Sequence, residues 1–454
     1  MKIKKYGLLS ILAAVSLNVL VPTAAGAVEV AFERDARLPV VNIAVAIRAG
    51  YTMDPTGQSG LTRFMGQMLT RGTKLRSKEQ IDLELDQMGA EIGVETRAES
   101  TVLRGTVLAS QLDRFLSLIS EMLTQPSFPP SEIRKLKGEV TSAIAGQMGR
   151  DESVAYRKFL KYLFNKHPYG KPPLGTTVDV VKLTAVQLRA QYDRIVRDQL
   201  LLVVATGDAD EAKLKTWADG IGQARPGGLA VEELAVPTNP PHRRLIIVDK
   251  PDRTETQIII GQIGMATLNP QYRALDIANV IFGGGGMNAS RLMLQIRSLK
   301  GWSYSASSSQ NMARQPHQWS IHLHPAAKNS AEALAYVLGM VSDLKAKGVT
   351  HDEFQFAQST MINNSAFDAN TAKKRAENLL TEKLIGLPNG FFKSAGEQIQ
   401  KVTLEQVNAA AQAFFQPNDL TILVLGTAKD LKAPLAKAAG VELSKVEVVP
   451  YTQE

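Results

Sequence analysis

Two distant stretches of this chain repeat one another at a fixed spacing, which constrains the fold more than any other feature. Lys182, Thr184, Gln187 and Gly207 recur as Lys401, Thr403, Gln406 and Gly426, each pair 219 residues apart. In both copies the Lys-x-Thr-x-x-Gln stretch precedes a helical segment. An apolar run then follows, Leu200 to Gly207 in one copy and Leu420 to Gly426 in the other. Four markers at one offset, in one helix-then-strand order, point to an internal duplication. A duplicated chain builds one kind of unit twice.

Each half opens with a β-branched, apolar run, Val40 to Ile47 in the first and Thr256 to Gly261 in the second, and both read as strands. Helical patterns follow in the first half over Ser77–Met88, Ser110–Thr124 and Pro130–Gln147. Leu112, Phe115, Leu116, Ile119 and Leu123 recur at helical spacing. Ser131, just after Pro130, is the expected cap of the third helix. Strands mixed with long helices predict an α+β chain of two homologous α/β sandwich domains, each a mixed sheet with helices on one face. The length of 454 residues also exceeds one ordinary core. A Pro- and Gly-rich stretch at 225–243 has little capacity for regular structure. It separates an N-terminal domain at 28–224 from a C-terminal domain at 244–454.

The first residues read as an export signal. Lys2, Lys4 and Lys5 precede the apolar run Gly7–Val21, and Ala25-Gly26-Ala27 is a small-residue cleavage site. The apolar run is short for a membrane span. Residues 1–27 are therefore expected to be removed, leaving a periplasmic chain that starts at Val28, with no stable membrane insertion. Their loss removes three lysines and no acid, so the formal charge falls from +8 to +5. Such a mild excess, without a basic stripe studded with aromatics, gives nucleic-acid binding no support. The chain has no Cys, which removes disulfides, Cys zinc ligands and Cys nucleophiles. Of the six His, His322 and His324 alternate on a predicted strand and share a face. No carboxylate stands with them in sequence, and they read as packed or solvated strand residues. No Gly-x-Ser-x-Gly elbow is present.

The stretch from Gly60 to Thr73 reads Gly-Leu-Thr-Arg-Phe-Met-Gly-Gln-Met-Leu-Thr-Arg-Gly-Thr. It resembles the segment of pitrilysin/insulinase-type peptidases that carries the inverted zinc motif His-x-x-Glu-His. Gly60, Leu61, Met68, Leu69, Gly72 and Thr73 keep the frame. Arg63 and Gln67 stand where the two His would be, and Gly66 stands where the general-base Glu would be. Two His four apart share a helix face and can grip one Zn²⁺. A guanidinium stays protonated and offers no lone pair, Gln is a poor zinc ligand, and Gly can move no proton. The family's distal Glu ligand aligns with Ser142 or Ala143, and Glu139 lies about one turn earlier. The resemblance thus implies a chain without a metal of its own.

A second stretch runs from Phe282 through Gly283, Gly284, Gly285 and Gly286 to Ser290-Arg291-Leu292, Ile296-Arg297 and Gly301-Trp302-Ser303-Tyr304. Four glycines bend freely and expose backbone N–H groups. Met287 and Asn288 follow where a phosphate loop would need Lys and Ser or Thr, so nucleotide binding has no support. The stretch resembles the same family's second-domain signature. Arg48-Ala49-Gly50, His167-Pro168-Tyr169-Gly170 and Leu174-Gly175-Thr176 also match it, and His167 then reads as a loop residue. The resemblance covers residues 29–430.

By that resemblance, Arg297 and Tyr304 reach toward a peptide, and the glycines 283–286 flank it. Arg297 would hold a carbonyl or carboxylate, and the Tyr304 hydroxyl would donate to an oxyanion. Read from the residues alone, Arg297 could instead be a surface ion-pair partner and Tyr304 a core tyrosine. The resemblance further implies a zinc-bearing homologous partner, closed on this chain like a clam shell around extended peptides. This chain would then be the non-catalytic, substrate-binding subunit of a heterodimeric zinc metallopeptidase, with no cofactor of its own. The alternative is a catalytically inactive scaffold or peptide-binding protein of the same fold.

Overall fold

The computed structural model describes residues 27–227 and 233–453. The expected signal, apart from Ala27, and residues 228–232 of the expected linker lie outside the described residues. The remaining residues of 225–243 carry no helix or strand.

The first half forms strands β1 (Glu29–Arg34), β2 (Val40–Ile47), β3 (Glu91–Thr96), β4 (Thr101–Leu108) and β5 (Leu201–Gly207). The second forms β6 (Arg244–Asp249), β7 (Gln257–Ile263), β8 (Ala306–Gln310), β9 (Gln318–Leu323), β10 (Thr421–Gly426) and β11 (Glu447–Pro450). The first sheet runs β1-β5-β2-β4-β3, and the second runs β11-β6-β10-β7-β9-β8. Apart from the added edge strand β11, the two orders are the same. The one parallel pair in the first sheet, β1 with β5, recurs as β6 with β10. The duplication seen in sequence is a duplication of topology.

The repeated markers have local causes. Thr184 and Gln187 form a reciprocal capping box at helix Ala185–Ile195, and Thr403 and Gln406 form another at helix Leu404–Phe414. Each box satisfies orphan N–H groups at a helix start. Gly207 sits at φ +133°, and a Cβ there would lie 2.1 Å from the Val40 carbonyl oxygen. Ser77 caps helix Lys78–Met88, again through a capping box. Ser131 does not cap the next long helix. That helix spans Pro130–Gly149, with Pro129 at the cap position and no side-chain cap. Pro130 fills its first position, where a missing N–H costs nothing.

Each sheet packs its own half's helices on one face. In the first half, Phe64, Met65, Phe115, Ile119 and Leu136 cover Ile43, Val45, Leu103 and Val203. The opposite faces are covered by exchange between the halves. Helix Asp151–Phe164 of the first half lays Val154, Phe159 and Leu163 on Ile246, Val248, Ile259, Leu423 and Leu425 of the second sheet. Helix Ala372–Ile385 of the second half lays Leu380 on Ala31, Ala44, Ala46, Val102, Leu202 and Val204 of the first sheet. Among the described residues no helix is long and apolar enough to cross a membrane.

Candidate functional site

The degenerate motif occupies helix Leu61–Met68. A buried acid holds its start. The Asp54 carboxylate accepts from Gly60 N at 2.7 Å, Thr62 N at 2.8 Å and Thr62 Oγ1 at 2.6 Å. Burial pushes the Asp54 carboxyl above its ordinary range, against the pull of these hydrogen bonds. Gln191 Nε2 donates to Thr62 Oγ1 at 2.8 Å and ties the motif helix to helix Ala185–Ile195. The motif helix also packs on β3, β4 and helix Pro130–Gly149.

Arg63 and Gln67 share one face of this helix, and both are half-buried. Arg63 Nε and Gln67 Oε1 are buried and, among the described residues, have no hydrogen-bond partner. Burial lowers the Arg63 pKa, and the Glu95 carboxylate partly offsets it. Gly66 is pressed against the sheet. A Cβ at this position would lie 2.8 Å from Thr101 Cγ2, 3.3 Å from Val94 Cγ1 and 3.4 Å from Thr96 Oγ1. Glu139 is already engaged, with its Oε1 accepting from Arg71 Nη1 at 3.0 Å. Ser142 and Ala143 are exposed on helix Pro130–Gly149. This donor set does not fit zinc. It offers a guanidinium without a lone pair, a glycine and a neutral amide. Among the described residues, no group of three His, Cys, Asp or Glu is placed to hold a metal ion.

In the second half the glycine turn follows helix Tyr272–Phe282. Asn279, which sequence reasoning passed over, organises it. Its carbonyl accepts from Gly283 N at 2.9 Å and Gly284 N at 2.8 Å. Its Oδ1 accepts from Ser308 Oγ and Trp319 Nε1, each at 2.8 Å. A Cβ on Gly283 would meet Leu292 Cδ1 at 2.4 Å, and one on Gly284 would meet Asn279 Nδ2 at 2.5 Å. Gly285 and Gly286, both at φ +65°, are the exposed part of the turn. Only the last two glycines are therefore open to a ligand.

Arg291 is structural. Its guanidinium pairs with both Glu353 oxygens at 2.7 Å and donates to the Gly348 carbonyl. From there Met293–Leu299 winds as a wide π-type helix, a geometry enriched at functional sites. It presents Arg297 outward. The Arg297 guanidinium carbon lies 4.6 Å from the centre of the Tyr304 ring, a cation–π stack. Arg297 is exposed, and Tyr304 is 83% exposed. Tyr304 is thus no core tyrosine, and among the described residues no carboxylate forms an ion pair with Arg297. Leu299, 71% exposed, lies nearby in sequence. His322 packs beside Tyr156, ring centres 6.0 Å apart, and bonds Ser320 Oγ at 2.9 Å.

The sequence pattern of the family described as Insulinase (Peptidase family M16) matches residues 29–177, and that described as Peptidase M16 inactive domain matches 182–361. This chain belongs to the insulinase-type peptidase family. A relative from Helicobacter pylori, named Non-peptidase homolog YmxG, is 24% identical over 88% of this chain and 92% of its own length. The Bacillus subtilis protein named Uncharacterized zinc protease YmxG is 22% identical over 87% of this chain and 95% of its own. Among solved structures, a peptidase M16 inactive domain from Pseudomonas fluorescens superposes with TM-score 0.83 at 23% identity, covering 90% of this chain and 98% of that one. The first half of the periplasmic protease PqqL from Escherichia coli superposes with TM-score 0.72 at 16% identity, covering 92% and 96%. This family member has the two-sheet fold and has replaced the motif's metal-binding and proton-transfer side chains.

Proposed function

We propose that this chain is the substrate-binding, non-catalytic subunit of a two-chain zinc peptidase exported to the periplasm. The observation that carries the reading is the exposed Arg297–Tyr304 stack, in the segment that follows a built glycine turn in the chain. An arginine and a tyrosine stacked on each other and held outward, with no ion pair to Arg297 among the described residues, suit a ligand that arrives from outside. The partner would be a homologous chain with an intact His-x-x-Glu-His helix. Zinc bound there would polarise the scissile carbonyl and activate water. This chain would close the chamber, with Arg297 orienting an extended peptide and the Tyr304 hydroxyl donating to the developing oxyanion. The PqqL neighbour supports pairing, because a unit of this size is there one half of a protease. The periplasmic location of PqqL, with the export pattern of residues 1–27, supports the periplasm.

The test is reconstitution. Mixed with a homologous zinc-bearing chain, the purified protein should give a peptidase activity that neither shows alone. Tyr304→Phe keeps the ring and removes one donor, so kcat should fall by about 10²-fold. Arg297→Ala should raise KM without releasing the partner's zinc. If both variants form the complex and leave kcat/KM unchanged, the scaffold reading replaces this one.

A further inference from the structure

The helix face that holds zinc in the family carries a different chemistry here. Arg63 is half-buried and, among the described residues, has no carboxylate at ion-pair distance and no hydrogen bond for its buried Nε. Four residues on, Gln67 Oε1 is buried without a donor. A buried acceptor and a buried guanidinium N–H without hydrogen-bond partners are each costly to leave, and here they share one helix face. The nearby acid, Glu95, is already taken. It accepts from Arg97 Nε at 2.9 Å and from Arg104 Nη1 at 2.6 Å. Two guanidiniums thus hold the Glu95 carboxylate and Arg63 adds a third positive charge within its influence, so the local field favours an anion. The two open valences ask for a negative group beside an N–H donor. A terminal peptide residue carries both, one atom apart on its backbone. An anion without a donor of its own, such as chloride or sulfate, would leave Gln67 unsatisfied.

We infer that this face is a receptor for the C-terminal carboxylate of a peptide, with Arg63 gripping the carboxylate and Gln67 Oε1 accepting the N–H of the same terminal residue. A planar guanidinium matches a carboxylate through two parallel hydrogen bonds. The fixed positive charge that zinc supplies in the family is supplied here by a side chain, which binds but does not hydrolyse. Gly66, between the two in sequence, adds no acid of its own, and the nearby Glu95 is neutralised by Arg97 and Arg104. The inference rests on the reading that this chain receives peptides, and it names which end of the peptide it holds.

The experiment uses the full mature chain and a fluorescein-labelled, alanine-rich octapeptide, prepared with a free C-terminal carboxylate and as its amide. Fluorescence anisotropy should give a Kd at least about tenfold lower for the acid than for the amide, the scale of one charge-assisted hydrogen-bonded pair. Arg63→Gln should erase that difference. Gln67→Glu is the second variant. It gives Arg63 a counter-ion four residues away, so it should raise the melting temperature while abolishing the preference for the acid. Equal binding of acid and amide, or a preference that survives Arg63→Gln and Gln67→Glu, would overturn the inference. If that equal binding still falls with Arg297→Ala, the substrate-binding reading stands and only the assignment of the peptide end fails. Binding of neither peptide also overturns the inference, and the paired-subunit reading is then judged by reconstitution alone.

Discussion

At the scale of single residues, losing the motif is more than losing three side chains. Arg63 and Gln67 remain side by side, but Gly66 has let the helix settle against the sheet, to within 2.8 Å of Thr101 Cγ2 for any added Cβ. Thr101 is β-branched, and its own hydroxyl donates to the Ala49 carbonyl at 2.9 Å, so it has little freedom to yield. The triple variant Arg63→His, Gly66→Glu, Gln67→His should therefore be destabilised, by about 1–3 kcal/mol as in other overpacked sites. It should also purify without stoichiometric zinc, because Ser142 and Ala143 offer no third ligand. Urea unfolding and metal analysis check the two halves of this prediction. One tightly held zinc at unchanged stability would show that the site has kept its room and a hidden ligand.

At the scale of elements, the exchanged helices matter most. Phe159 stands over Gly261, where a Cβ would lie 2.8 Å from Phe159 Cζ. Leu380 lies over the alanines of β1 and β2. Small residues on a sheet let a helix approach closely. Phe159→Ala should cost about 3–5 kcal/mol and Leu380→Ala about 2–5 kcal/mol, although each side chain comes from the opposite half to the sheet it covers. Urea midpoints at unchanged slope would measure this. Losses below about 1 kcal/mol would mean the exchanged helices are only loosely seated.

At the scale of the whole molecule, the halves are joined as one body. Polar links follow the apolar exchange: Lys250 to Asp151 at 2.5 Å, Arg314 to Glu99 at 2.8 Å, and Lys158 Nζ to the Gln453 carbonyl at 2.7 Å. Each half alone would leave one sheet face bare, so fragments 28–224 and 244–454 expressed separately should bind a hydrophobic dye. The full chain should melt in a single calorimetric transition, and two resolved transitions would contradict this. His322 lies at the same junction. Burial pushes its imidazole down to about 4, His324 adds to the effect, and Glu152 opposes it. An unfolded His takes up its proton near pH 6.5, before the folded one does. The stability it contributes is therefore present above that pH and lost as pH falls through 6.5 toward 4. The loss is at most about 3 kcal/mol. His322→Gln should shrink the difference in unfolding free energy between pH 7 and pH 4.5, and an unchanged difference would clear this residue.

The repeat at 219 residues, the helical spacing of the apolar residues and the altered zinc motif were all legible in the sequence. Capping and periodicity are local, and each is written within a few residues of where it acts. Ser131, the cap expected from sequence, does not cap, because the preceding prolines had already set the helix entry, while Ser77 and the two Thr-x-x-Gln pairs form capping boxes that the structure revealed. The exchange of helices was not legible, although unbroken apolar runs such as Leu420–Leu425 signal burial on both faces. Which helix covers the second face depends on contacts between residues hundreds of positions apart. The same limit hid Asp54 and Asn279, whose roles lie in backbone N–H groups they meet only after folding. The sequence by itself determined the duplicated unit and which side chains could not serve a metal. Tertiary structure alone decided that Gly66 lies against the sheet, that Arg63 Nε and Gln67 Oε1 have no hydrogen-bond partner among the described residues, and that Tyr304 faces outward. Burial and hydrogen-bond satisfaction belong to the packed whole, not to any segment of it.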